Sequence, residues 1–150
     1  MLYCRQILRK EDTDMNVLII DGQGGALGAQ LVKDITAEAL GVEITAVGTN
    51  AVATAAMLKA GAKNAATGEN PVIVAARRAD VIIGPIGIVI ADAMLGEVTP
   101  RMALAVGQAD AARILIPMNK CDNLVAGVLG MSTAALIADA IAKLKALINE

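Results

Sequence analysis

Residues 17–32, VLIIDGQGGALGAQLV, join an uninterrupted apolar run to four glycines within seven positions, Gly22, Gly24, Gly25 and Gly28, and then to an apolar periodicity of helical type. Glycine inside regular structure costs roughly 0.5–1 kcal/mol relative to alanine, so such a cluster marks a backbone that turns sharply or a neighbour that comes close. The run before it lacks the polar alternation of a half-exposed strand. It reads as a strand buried on both faces, and the glycines as its turn into a helix.

The same unit recurs along the chain. NVLII (16–20) and a helix from Ala26 to Gly41 are followed by EITAV (43–47) and a helix stopped by Gly61. A weaker strand at KNAAT (63–67) precedes a helix over 70–79, and DVIIG (80–84) is a fourth strand. VIIGPIGIVIADAMLG (81–96) reads as that strand followed by a buried helix. Thr99 then caps a helix that has Pro100 at its first position. RILIPM (113–118) is a fifth strand and LVAGVL (124–129) a sixth, and Ser132 caps a last helix through Leu147. Near-continuous apolar strands alternating with helices predict an α/β fold, a three-layer, doubly wound, mostly parallel sheet of Rossmann-like order 3-2-1-4-5. Residues 15–150 form one such domain, and the charge-rich segment 1–14 is read as a mobile tail outside it.

Composition bounds the function. With 56% hydrophobic and 1% aromatic residues, the core must be built from Ala, Val, Ile, Leu and Met. No stretch reaches the ~18–20 apolar residues of a membrane span, so the apolar surplus points to a homo-oligomer interface rather than a membrane. A net charge of −2 with no basic stripe argues against nucleic acid. Cys4 and Cys121 lack metal-ligand spacing and no histidine assists them, so neither a metal site nor a disulfide framework is indicated. A cytoplasmic location is the simplest expectation.

In open parallel sheets, ligands sit outside the carboxyl ends of the strands. The sequence places there Asp21-Gly22-Gln23-Gly24-Gly25, then Gly48-Thr49-Asn50, Gly84-Pro85 and the segment 117–122 with Asn119 and Cys121. Glycines 22, 25 and 28 have a spacing resembling the dinucleotide fingerprint of extended short-chain dehydrogenases, with backbone amides and a helix N-terminus to meet a phosphate. NAD(P) or another nucleotide is accordingly a candidate ligand. The acidic residue that would grip a ribose is missing at the end of the second strand, and Tyr3, the sole tyrosine, lies in the tail, so the dehydrogenase likeness stops at the glycines. With no Phe or Trp to stack on its ring, a flavin is disfavoured.

Asn119-Lys120-Cys121-Asp122 matches the N-K-x-D guanine-reading motif, but no P-loop accompanies it. Asp21 is the best-placed general base, with hydrogen bonding to loop amides as its alternative role. Cys121 is a nucleophile candidate, against burial as a small apolar residue. Thr49 and Asn50 are read as donors to an anion or as a helix cap. Thr67, Glu69 and Asn70 form an outer wall or cap the next helix, and Arg77 and Arg78 sit where a helix C-terminus favours cations. Asp92 and Glu97 are charges in an apolar segment that require partners or solvent.

Taken together, the blocks IDGQGG, GTNAVATAAMLKAGA, ATGEN, RADVIIGPIGI and ILIPMNKC resemble a family of bacterial proteins known only as a domain of unknown function. The resemblance spans residue 15 to about residue 128. It implies a cytoplasmic α/β protein with a nucleotide-binding-like fold and supplies no activity. Two functions follow as expectations: binding of a nucleotide or other small phosphorylated ligand at the strand rim, or a non-catalytic regulatory or structural homo-oligomer whose glycines serve packing.

Overall fold

A computed structural model of the chain describes residues 14–118 and 123–150. Strand β1 (Met15–Asp21) leads into helix α1 (Ala26–Ala37), β2 (Val42–Gly48) into α2 (Ala51–Lys59), and β3 (Asn64–Thr67) into α3 (Glu69–Ala76). Strand β4 (Val81–Pro85) runs into a single 3-10 turn, Ile86–Val89, then α4 (Pro100–Gln108), β5 (Ala112–Ile116) and α5 (Thr133–Ile148) follow. The sheet order is β3-β2-β1-β4-β5, as the alternating pattern predicts, and every pairing is parallel.

The central strand explains the continuous apolar run. Successive side chains of a strand point to opposite faces. Val17 and Ile19 enter one core layer with Leu31 and Ile35 of α1, Met57 of α2 and Ile141 and Leu144 of α5. Leu18 and Ile20 enter the other with Val72 of α3 and Met102 and Val106 of α4. Both faces are covered, so no position along β1 between Val17 and Asp21 is left for a solvated side chain.

Helix boundaries follow local chemistry. Thr99 Oγ1 accepts from the Met102 amide with Pro100 just inside α4, and Ser132 Oγ accepts from the Ala135 amide at the start of α5. Both caps agree with the sequence pattern.

Two expected elements are absent. The helix predicted after β4 is replaced beyond the 3-10 turn by consecutive tight turns, because Asp92, Met94 and Leu95 take left-handed φ values of 64°, 57° and 57° and Gly96 one of 89°. The segment closes on itself through Asp92 N donating to Val98 O (2.8 Å) and Gly96 N donating to Asp92 O (3.1 Å). The sixth strand is also absent. Residues 124–129 pair with no strand among the described residues, and Leu124 and Leu129 are exposed. Residues 117–123 are too few to carry the crossover of a dozen or more residues that a parallel neighbour of β5 would need.

Leu31 is fully buried between α1 and the sheet, whereas Val52 on α2 is 64% exposed. Leu31→Ala is expected to lower unfolding free energy by about 2–5 kcal/mol in a urea titration, and Val52→Ala to change it by less than about 0.5 kcal/mol.

Candidate functional site

The glycine turn is organised by the last residue of β1. The side chain of Asp21, 5% exposed, accepts the Gly22 amide at Oδ1 (2.8 Å) and the Gly28 amide at Oδ2 (2.7 Å). Burial pushes its carboxyl up from the ordinary aspartate value, the two amide hydrogen bonds pull the other way, and the negative charge of Glu97 adds to the rise. Asp21 thus satisfies one of the amides that open the N-terminus of α1 and ties that helix to the strand.

Gly25 precedes α1 with φ of 76°, and a Cβ there would lie 2.6 Å from the Ala53 Cα of α2, so both conformation and space require glycine. At Gly48 and Gly84 a Cβ would strike Thr54 and the Ile20 carbonyl oxygen, which makes these strand-end glycines packing residues. Gly24 differs: a Cβ there would meet nothing within 4 Å, and its φ is not positive.

Beside this turn lies a cavity of about 480 Å³. It is bounded by the loop from Asp21 to Leu27, by Pro85 to Gly87 beyond β4, by Asp92 to Leu95 of the turned segment, and by Met118. Three of the four segments expected to converge therefore contribute to it, the one after β5 through Met118. The amides of Ala26 and Leu27, in the first turn of α1, have no acceptor among the described residues and border the cavity.

The loop after β2 is engaged elsewhere. Thr49 Oγ1 donates to Glu97 Oε1 (2.8 Å), Asn50 Nδ2 donates to the same oxygen, and the Gln23 amide does so as well (3.0 Å). Asn50 also caps α2, its Oδ1 accepting from the Ala53 amide (2.9 Å), while Nδ2 reaches the Gln23 carbonyl (3.0 Å). Gly48, Thr49 and Asn50 do not border the cavity, and their anion is an internal one. Desolvation alone would raise the carboxyl of Glu97, but the hydrogen bonds from Asn50, Gln23 and Thr49 outweigh it and hold it below the ordinary glutamate value.

Glu97, which does not itself border the cavity, is the residue organising this side of the rim that the sequence pattern left unassigned. The signal was present, because a charge inside an apolar segment must find partners, but those partners lie 47 to 74 residues away along the chain. Of the other candidates, Thr67 pairs with Thr54 (Oγ1 to Oγ1, 2.6 Å), and Glu69 with Thr99 (2.6 Å) and Arg101 (3.5 Å), all away from the cavity. Asn119, Lys120, Cys121 and Asp122, with the guanine motif and the nucleophile candidate, lie outside the described residues, as does most of the tail. Among the described residues, no cluster of acidic or cysteine side chains is suited to a metal ion, and no helix is long and apolar enough to cross a membrane.

A family model described as "Domain of unknown function (DUF3842)" matches residues 16–149. No curated protein matches the chain. Among solved structures, a dodecameric FMN-dependent Ubix-like decarboxylase from Escherichia coli O157:H7 is similar at 18% identity with a TM-score of 0.44, over 90% of this chain and 76% of that one.

Replacing Asp21 by Ala leaves two buried amides without acceptors, so chemical denaturation should show a loss of about 2–4 kcal/mol. Because the Glu97 carboxyl is lowered in the folded state, its contribution is present above the unfolded-state value of about 4.3 and lost as pH falls through the lower folded value. The stability gap between wild type and Glu97→Ala is therefore expected to be widest near neutrality and to close in acid; a gap constant from pH 7 to pH 3 would contradict the assignment.

Proposed function

The chain belongs to the DUF3842 family, and since that membership names no activity, we propose from the site itself that the protein binds a nucleotide or other small phosphorylated ligand at the carboxyl rim of its sheet. One observation carries this reading: a cavity of about 480 Å³ opens on the first turn of α1, where the Ala26 and Leu27 amides lack acceptors among the described residues. Its size lies within the range of about 300–1,000 Å³ usual for small-molecule sites. The amides and the positive end of the helix dipole favour a phosphate, and Pro85, Ile86, Met94 and Met118 supply apolar walls for what the phosphate carries.

The carboxylate of Asp21 keeps the loop in this shape. With both oxygens already accepting amides, it serves the site first as a scaffold, and no turnover is assigned to it. The ordinary ribose-gripping arrangement is not reproduced by Thr49 and Asn50, so NAD(P) stands as one member of a wider nucleotide class.

The second reading, a regulatory or structural homo-oligomer, has its own support. Gly25, Gly48 and Gly84 are explained by packing, and Leu95, Leu124 and Leu129 are 98%, 101% and 87% exposed. Light scattering separates it from a monomeric binder: a multiple of 15.3 kDa is expected for it, dispersed by Leu124→Lys with Leu129→Lys.

For the ligand site, a thermal-shift panel of nucleotides, dinucleotides and sugar phosphates is expected to contain a stabiliser. At 100 times its Kd this corresponds to ~2.7 kcal/mol, or on the order of 5–10 °C for a chain of this size. Gly24→Leu should abolish the shift without lowering the melting temperature of the free protein, because a side chain at Gly24 enters open space. A shift that survives that substitution would remove the glycine loop from the site.

A further inference from the structure

We infer that Glu97 is a ligand-binding carboxylate that accepts the sugar hydroxyls of the bound nucleotide. It takes the place of the acidic residue that β2 lacks, and it is delivered to the end of that strand by the turned segment after β4. The inference rests on the nucleotide reading above and deepens it.

Three observations converge on this side chain. The first is its anchorage. One oxygen, Oε1, accepts from the Gln23 amide, the Thr49 hydroxyl and the Asn50 amide nitrogen, which joins the glycine loop to the residues directly after β2. The second is what the anchorage leaves over. Oε2 has no partner among the described residues, and Glu97 is neither buried nor fully exposed. A carboxylate held rigidly by one oxygen presents the other as a fixed acceptor. The third is the room made for it. A Cβ at Gly22 would lie 2.5 Å from Thr49 Oγ1, 2.6 Å from Met94 Sδ and 3.3 Å from Glu97 Oε1, so the first glycine of the loop lets the segment carrying Glu97 come close.

The chemistry then divides the rim. Glu97 repels phosphate from Thr49 and Asn50, whose donors it already takes, and leaves the amides at the start of α1 as the place for an anion. Gln23 is the hinge of this division: its amide holds Glu97, and its neighbour Gly24 borders the cavity. Glu97 does not itself border the cavity, but Gly22, Gln23 and Met94, which do, flank it, so the sugar that follows a phosphate at α1 carries its hydroxyls toward this edge. Hydroxyls donate, and an ionised carboxylate can only accept, which makes these bonds charge-assisted. At neutral pH Glu97 is ionised, its carboxyl lying below the ordinary value.

The test measures binding of inorganic pyrophosphate, of adenosine and guanosine diphosphates, and of their 2′,3′-dideoxy analogues by calorimetry. The proteins are wild type, Glu97→Gln and Glu97→Ala, with folding checked by circular dichroism. Glutamine retains an oxygen for Thr49, Asn50 and Gln23 but loses the ionised acceptor. At least one diphosphate is expected to bind wild type about tenfold or more tightly than its dideoxy analogue. Both variants are expected to lose most of that preference, and Glu97→Gln, which keeps the glycine loop anchored, to keep wild-type affinity for pyrophosphate. Equal affinities for the paired nucleotides in wild type, or a preference that persists in both variants, would overturn the inference and leave the phosphate site standing. Tighter pyrophosphate binding by Glu97→Ala would also overturn it, since Glu97 would then only occupy donors meant for an anion. If no probe binds the wild-type protein, the nucleotide reading itself falls and takes this one with it.

Discussion

The structure of the rim depends on the two hydrogen bonds accepted by Asp21. A strand buried on both faces must end, and its chain must leave the sheet through a region where unsatisfied amides are costly. Asp21 resolves this by turning its own carboxylate onto the amides of Gly22 and Gly28. That fixes where the loop turns and where α1 begins, and hence which amides of its first turn remain open. The same charge, desolvated and close to Glu97, limits what else the site can hold: a second carboxylate nearby must be well supplied with donors, as Glu97 is.

Most of the architecture was legible in the sequence because it is written in a strong code. Apolar runs such as Val17–Ile20 and Val81–Ile83 admit a strand covered on both faces, and the helices between them are bounded by Gly61, Thr99-Pro100 and Ser132, residues with clear local preferences. Strand order followed from the parallel pattern. What misled was apolar sequence without a backbone signal. Residues 86–95 and 124–129 are as hydrophobic as real elements, yet the first is a 3-10 turn followed by tight turns with left-handed residues at Asp92, Met94 and Leu95, and the second a loop with exposed leucines. Hydrophobicity names what is to be buried, and it is silent on hydrogen-bond closure or on the length a crossover needs.

The candidate site was legible in part for the same reason. The glycine loop announced itself by composition, and the strand-end rule brought it together with Pro85 around the cavity. Thr49 and Asn50 were recognisable as donors, but their acceptor was not, because Glu97 directly follows the segment misread as a helix and is positioned by that segment's turns. Three non-glycine residues with positive φ in that segment carry strain of order 1–3 kcal/mol each. A right-handed helix over the same residues would not have closed the turn that sets Glu97 against Thr49, Asn50 and Gln23.

Asn50 shows how closely these demands are coupled. Its carbonyl oxygen caps α2 while its nitrogen serves both the Gln23 carbonyl and Glu97, so the two ends of one amide group hold two different parts of the molecule. Hydrolysis of that amide to the acid would keep the cap and set like charge against Glu97. An aspartate at this position would therefore keep the helix in place and loosen the loop after β2 from the Gln23 carbonyl and from Glu97, so that the rim would slacken before the fold did.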